Sequence, residues 1–480
     1  MKVLLQEPII PPRITYGKFS AGTGNNTFPY GLASMAEFIR IFGYSVSYLE
    51  PNIEKMSIKQ YCKYLADNNF DVIGIGSTTL QMKYAINTFR LIKKVNSNII
   101  TVLGGVHGTI MPHETLRATR AIDYLILGEG EKSFKKLLDY IQAGKKELID
   151  GLDGVAFQRG NHIIVKSPNE NDYLKEDELC IPAYDLFPMQ KYVAQITYAK
   201  KFPSYSIVAS RGCPFKCSFC CGSSISGHKV RYKNIDKLID EIELLKNKYR
   251  ARGIFFLDST FTLNKEWVEE FCKKFIEKKI KIPWACNSRV DTVNEEMLRL
   301  MKRAGCWEIL FGVESANQKS LDLIKKNTTV EMNTYILKLS QKMGFYTYAT
   351  YIIGLPGETE NDALNTISYA KKIGTPLAMF YLPVPFPKTE LWHICKKDGG
   401  LRDDCDWDEY NLWDASNPVY INPLIGKEKM KRLLRYAYQS YYFTPKVLLK
   451  NLSEFILFRQ SFRKYAYGLM ALGGFVFSKK

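Results

Sequence analysis

Short apolar runs alternate with amphipathic stretches of helical period along the first 145 residues, and this rhythm restricts the fold more than any other feature. The runs lie near residues 2–6, 45–49, 72–77, 99–104 and 124–127. The periodic stretches lie near 30–42, 57–68, 82–95 and 131–142. Val72-Ile-Gly-Ile-Gly-Ser and Ile99-Ile-Thr-Val-Leu-Gly are apolar throughout, as strands buried on both faces are. Alternation at this spacing predicts a doubly wound parallel sheet, so residues 1–145 are expected to form a Rossmann-like α/β domain.

The rhythm breaks over 146–204. Residues 154–166 read as a hairpin turning at Arg159-Gly-Asn, followed by a polar, acidic stretch, and the whole segment reads as a connector. Alternation restarts at Tyr205, with strands expected near 205–209, 253–258, 283–288, 307–313, 346–353 and 377–382. Six strand–helix units of this length predict an open, partial (βα)6, TIM-like barrel over 205–400. The remainder, 401–480, is basic and tyrosine-rich and reads as a helical extension. With 480 residues, 46% of them hydrophobic, the chain can bury two or three such cores.

Directly after the first barrel strand stands Ser210-Arg-Gly-Cys213-Pro-Phe-Lys-Cys217-Ser-Phe-Cys220. Thiolates at short spacing let one loop wrap an iron–sulfur cluster. Three ligands leave one iron of a cubane without a protein thiolate, an open position of the kind catalytic metal centres keep. A zinc site takes four ligands in paired groups, and the next cysteine, Cys221, adjoins Cys220 and is badly placed to complete a tetrahedron. The other cysteines are scattered and read as small buried hydrophobes.

This C-x3-C-x2-C pattern, with Phe219 before the last cysteine, resembles the signature of radical S-adenosylmethionine enzymes, and the likeness extends to the subgroup with an N-terminal cobalamin-binding domain. The resemblance implies a [4Fe–4S] cluster on Cys213, Cys217 and Cys220 whose unique iron chelates S-adenosylmethionine, and reductive cleavage of that sulfonium to a 5′-deoxyadenosyl radical. It implies a flavodoxin- or ferredoxin-type protein as electron donor. It places site residues at the strand ends: Asp258 and Ser259 where the methionine amino group is received, Ser288 and Arg289 beside its carboxylate, Glu314 at the ribose, and Gly354 in the turn near adenine. In the first domain Ser77, Gly104, Gly105 and His107 resemble loops that line the nucleotide tail of cobalamin, and Gly128-Glu129-Gly130-Glu131 resembles a further family loop. The D-x-H-x-x-G motif that supplies an axial histidine is absent, so cobalamin is expected to lack a protein imidazole at its lower face. A degenerate domain that only packs on the barrel is the alternative.

The implied reaction is chemistry at an unactivated carbon: C-methylation, ring formation or rearrangement on a small molecule or lipid. The net charge of +18 bears on partners, because over residues 427–480 twelve lysines and arginines face only Glu428 and Glu454. Such a tail suits an anionic membrane face or RNA, with a solvated helical surface as the plain reading. The apolar stretch 465–478 is shorter than the ~18–20 residues that span a bilayer. RNA-modifying methylthiotransferases, the alternative enzyme class, carry a second cysteine triad near the N-terminus, whereas Cys62 is the only cysteine in the first 179 residues, so nucleic acid is disfavoured as a partner. A non-catalytic cobalamin or cluster sensor would not need the set of barrel positions. Eleven cysteines without a signal-peptide pattern predict a reducing cytoplasm, with peripheral contact at the inner membrane face.

Overall fold

A computed structural model describes residues 1–11, 27–192, 199–445 and 447–449. The expected apolar runs form β1 (Lys2–Gln6), β2 (Ser45–Leu49), β3 (Val72–Gly76), β4 (Ile100–Gly104) and β5 (Tyr124–Ile126), all parallel. Between them, helices bury one stripe each. Met82–Val95, for example, turns Ala85, Ile86, Phe89 and Ile92 onto the sheet. Ser57 starts Ile58–Asn68 with a capping box to Gln60.

The hairpin is not a free connector. Its strands β6 (Val155–Arg159) and β7 (His162–Val165) add antiparallel to β5, giving a seven-stranded sheet of order β2-β1-β3-β4-β5-β6-β7. Val155, Ala156 and Phe157 are buried, and this burial draws the hairpin onto the sheet edge.

The second unit begins with β8 (Ser204–Ile207). A small antiparallel ribbon, β9 (Ser210–Arg211) with β10 (Arg231–Tyr232), brackets the cysteine loop. Then follow β11 (Gly253–Phe256), β12 (Trp284–Ser288), β13 (Cys306–Glu314), β14 (Tyr346–Ile352) and β15 (Leu377–Tyr381). They make a parallel six-stranded sheet, β15-β14-β13-β12-β11-β8, whose outer strands do not pair with each other: an open partial barrel. Aromatic side chains seat the flanking helix Lys265–Glu277 on it, with Phe256, Phe261, Phe271 and Trp284 in mutual contact.

The end of the chain departs from expectation. Among the described residues there, only Lys427–Tyr442 is a long helix. Residues 401–426 run instead as an irregular strap containing one 3-10 turn, Trp407–Glu409. Asp, Asn and Pro recur along this stretch and favour turns over helix. The basic segment beyond 450, with the apolar stretch 465–478, lies outside the described residues.

Candidate active site

The cysteine loop leaves β8 under the control of Asp258, at the end of β11. Ala209 N–H donates to Asp258 Oδ2 at 3.0 Å, and Ser210 Oγ–H donates to Oδ1 at 2.6 Å. Burial pushes the Asp258 carboxyl up to about 6, against the pull of these hydrogen bonds. Gly212 follows with φ of +98°, where a side chain would run into the Lys229 carbonyl. The loop is then pinned at Ser218, whose N–H donates to Ile324 O at 2.9 Å and whose carbonyl accepts from Leu391 N–H at 2.8 Å.

Cys213, Cys217 and Cys220 are free thiols on this loop, Cys220 exposed and the others half-buried. Gly222 N–H donates to Cys220 Sγ at 3.3 Å, and Arg289 Nη1 approaches Cys217 Sγ at 3.5 Å. Burial raises the Cys213 and Cys217 thiols above their ordinary value; the Arg289 charge works against it at both, joined by Lys326 at Cys217. The three sulfurs sense one another electrostatically, yet among the described residues no three ligand-type side chains converge on a single metal ion. A cubane distributes its thiolates over separate irons, and three thiols on one short loop suit that demand. N–H groups aimed at the sulfurs fit thiolate ligands equally well.

Around the loop, the expected residues divide into two groups. Phe219, Ser259, Arg289 and Glu314 gather beside the cysteines. Phe219 packs on a small apolar cluster of Leu321, Ile324 and Leu355. Ser259 is exposed, and its Oγ lies 3.9 Å from where a Gly222 Cβ would stand. Arg289 lies over the Phe215 ring at 3.7 Å and grips Asp291 through Nε at 2.9 Å and Nη2 at 2.7 Å, while another N–H meets the Lys326 carbonyl. It is 5% exposed, so this pair is interior and not a surface one. Glu314 ends β13 at φ +67°, paired with Lys326 Nζ at 2.8 Å and accepting from Thr350 Oγ1 at 3.3 Å.

Asp258, Ser288 and Gly354 spend their polar groups inside the protein. Ser288 Oγ shares a 2.6 Å hydrogen bond with Thr262 Oγ1. Gly354 N–H and Leu355 N–H both donate to Glu358 Oε2 at 3.0 Å, and Asn422 Nδ2 holds the Leu355 carbonyl at 2.8 Å.

At the strand ends of the first sheet, Gly105 has φ of +98°, and a side chain there would strike the Ser77 backbone. A Cβ on Gly104 would meet open space. His107 is wholly buried; its Nδ1 meets Thr79 Oγ1 at 3.3 Å, and Nε2 has no partner among the described residues. Trp407, from the strap, lies edge-on to its ring at 4.6 Å between centroids. Lys83 holds the strap through Asp406 and Asp408, both at 3.6 Å. Next to it a groove of about 480 Å³ is lined by Lys83, Asn87, Arg90, Cys405, Asp406 and Trp407. An open surface at Gly104, a close backbone crossing and a buried histidine fit a ligand-holding strand end, though His107 as placed faces Thr79 and Trp407.

Glu129 and Glu131, after β5, reach the barrel. Arg211 pairs with Glu129 and, at 2.8 Å, with Glu131, and donates to Ser34 Oγ at 2.8 Å. Arg231 Nη2 lies 2.6 Å from Glu129 Oε2, a charge contact outside hydrogen-bond alignment. Arg211, Arg231, Lys326 and Trp407 were not singled out from the sequence, because their partners are remote in the chain. Of these, only Arg211 stands near the cysteine triad in sequence, two residues before Cys213.

Comparison with known proteins follows the same two-part division. The radical SAM superfamily model matches residues 207–370, and the B12 binding domain model matches 20–138. The chain is 34% identical to an uncharacterized methyltransferase, PH0819, of Pyrococcus horikoshii, over 95% of both chains. It is 27% identical to an anaerobic magnesium-protoporphyrin IX monomethyl ester cyclase of Rubrivivax gelatinosus, over 90% of this chain and 75% of that one. Its fold matches the radical S-adenosylmethionine methyltransferase TsrM of Kitasatospora setae, with a TM-score of 0.72 at 16% identity, covering 92% of this chain and 89% of the other.

Proposed function

Because the chain belongs to the radical S-adenosylmethionine enzymes that carry a B12-binding domain, we propose that Cys213, Cys217 and Cys220 hold a [4Fe–4S] cluster and that the enzyme methylates, or closes a ring at, an unactivated carbon of a small molecule. The observation that carries this is the set of three free thiols on the one loop that follows β8 of the parallel barrel, each sulfur within electrostatic reach of the others. When bound, the cluster supplies the electron that splits a sulfonium and cobalamin supplies a methyl carrier.

The chain's own residues bind and orient. Phe219, backed by the buried Leu355, offers an apolar wall for an adenine face, and Ser259 an exposed hydroxyl beside Cys220. Arg289 holds a planar fork near Cys217 that suits a carboxylate once Asp291 shares it. Glu314, fixed by Lys326, presents a carboxylate toward hydroxyl groups of a ribose. The apolar core behind them keeps water out. Ser77, Gly104 and Gly105, at the strand ends of the first sheet, would hold the corrin's tail, and the enzyme would draw on an external one-electron donor of flavodoxin or ferredoxin type.

Anaerobic reconstitution tests the reading. The protein is expected to bind about four iron and four sulfide, and to release 5′-deoxyadenosine or demethylated S-adenosylmethionine under dithionite. Alanine at any of the three cysteines abolishes both. Full turnover in a Cys217→Ala variant would sink the assignment.

A membrane-associated substrate rests on a separate observation. Arg432, Arg435, Tyr436 and Phe443 are exposed on and just beyond the helix Lys427–Tyr442. No helix among the described residues is long and apolar enough to cross a membrane. Sedimentation with vesicles rich in anionic lipid, lost in 0.5 M salt on the order of the screening expected, tests for surface contact.

A further inference from the structure

We propose that Glu129 and Glu131, on the loop after β5 of the N-terminal domain, are positioning residues for the cysteine loop of the barrel. The argument begins with a charge problem. Arg211 and Arg231 stand directly opposite each other in the β9–β10 ribbon. Like charges in that register repel, and both side chains are largely buried, at 13% and 9% exposed, where water screens them poorly. Nothing in the ribbon itself resolves this.

The solution comes from the other domain. Glu129 places one carboxylate oxygen on each arginine, and Glu131 adds a second carboxylate to Arg211. Two anions balance two cations. The acids are held in place: Gly128 sits at φ +66°, its N–H donates to Thr109 Oγ1 at 3.0 Å, and a side chain there would strike the Tyr173 hydroxyl. Arg231 is anchored as well, donating to the carbonyls of Leu174 at 2.8 Å and Ser226 at 2.9 Å.

The ribbon is the clasp of the cysteine loop. Arg211 precedes Cys213 by two residues, and the chain returns through Arg231 after Cys220. A neutral residue at 129 leaves Glu131 as the one anion for two facing guanidiniums and strips Arg231 of its carboxylate, so the ribbon spreads and the cysteines shift with it. The B12-binding domain thereby sets where the barrel's thiols stand. This inference rests on the reading that those thiols hold a cluster.

The test uses the anaerobically reconstituted full chain as wild type, Glu129→Gln, and the charge-balanced double variant Glu129→Gln/Arg231→Gln. Two readouts are taken: amide exchange over residues 210–232, and the EPR spectrum of the dithionite-reduced cluster with and without S-adenosylmethionine. Glu129→Gln is expected to raise exchange in that segment about tenfold while distant segments stay protected, and to alter the S-adenosylmethionine-induced EPR change. The double variant is expected to return exchange to within about threefold of wild type. Unaltered exchange and EPR in Glu129→Gln, or a double variant no better than the single, overturns the proposal. Should Glu129→Gln fail to fold, Glu131→Gln is read in the same way. Wild-type protein lacking any cluster signal would defeat the cysteine assignment instead, and leave the exchange comparison to judge the clasp by itself.

Discussion

His107 shows what burial does to one side chain. Its imidazole is enclosed by Thr79 and Trp407, and burial lowers its pKa from the usual 6.5 to about 4. Folding therefore favours the neutral ring. Its contribution is fully present above pH 6.5 and is lost as the pH falls toward 4, a change on the order of 3 kcal/mol. Denaturant titrations at pH 7 and pH 4.5 should show a smaller loss of stability for His107→Gln than for wild type; equal losses would refute the assignment. Asp258 runs the other way. Burial raises its carboxyl to about 6, so its share of stability is present below pH 3.8 and is lost as the pH rises through 6. Asp258→Asn should flatten that part of the stability profile, and an unchanged profile would argue that another acid is responsible. The cysteine triad was readable from spacing because one loop carries all three thiols. The clasp made by Arg211 and Glu129, and the partner of Glu314, were not, since a single sequence does not say which distant charges will share a dry interior.

At the scale of elements, the tyrosine-rich helix Lys427–Tyr442 solves the edge problem of an open barrel. Among the described residues no strand pairs with β15 on its outer side. Tyr438 Oη donates to the Phe380 carbonyl at 2.9 Å and accepts from its N–H at 3.2 Å; Tyr442 does the same for Ala378 at 2.7 and 3.2 Å. Two hydroxyls thus replace a missing strand. Phenylalanine at both positions leaves buried backbone groups unpaired, at a cost of about 1–3 kcal/mol each. Urea denaturation of the double variant measures this, and a loss below ~0.5 kcal/mol would contradict the edge-capping role. The strands were legible because parallel, doubly covered strands are apolar from end to end. Residues 401–426 read as helix only by extension from the tyrosine-rich, basic stretch that follows; their own Asp, Asn and Pro favour turns, and the strap results. The hairpin's place on the sheet depends on burial of Val155 and Phe157, which local pattern does not reveal.

Across the whole molecule, the two domains share a buried junction. Lys233 Nζ and Glu241 Oε2, the latter on the helix Ile235–Asn247, pair at 2.6 Å in the buried interior, and Tyr30 of the first domain meets both, with Tyr30 Oη at 3.1 Å from Glu241 Oε1. Tyr184 Oη also donates to Glu241, and Phe28 stacks on its ring. Removing one partner of such a pair strands a buried charge, typically at a cost of about 3–5 kcal/mol. Calorimetry of Glu241→Gln should show a lowered and broadened transition where wild type melts as one unit. Two separate transitions in wild type would mean that the junction does not couple the domains.

The strap carries a consequence for synthesis. Trp407 covers His107, yet the ribosome makes it about 240 residues after the first sheet is complete at Val165, a lag of some 12–48 s at typical elongation rates. During that interval Trp407 does not yet cover the His107 side of the strand ends. The order of translation therefore gives a bulky ligand a period in which to reach that side before the strap arrives.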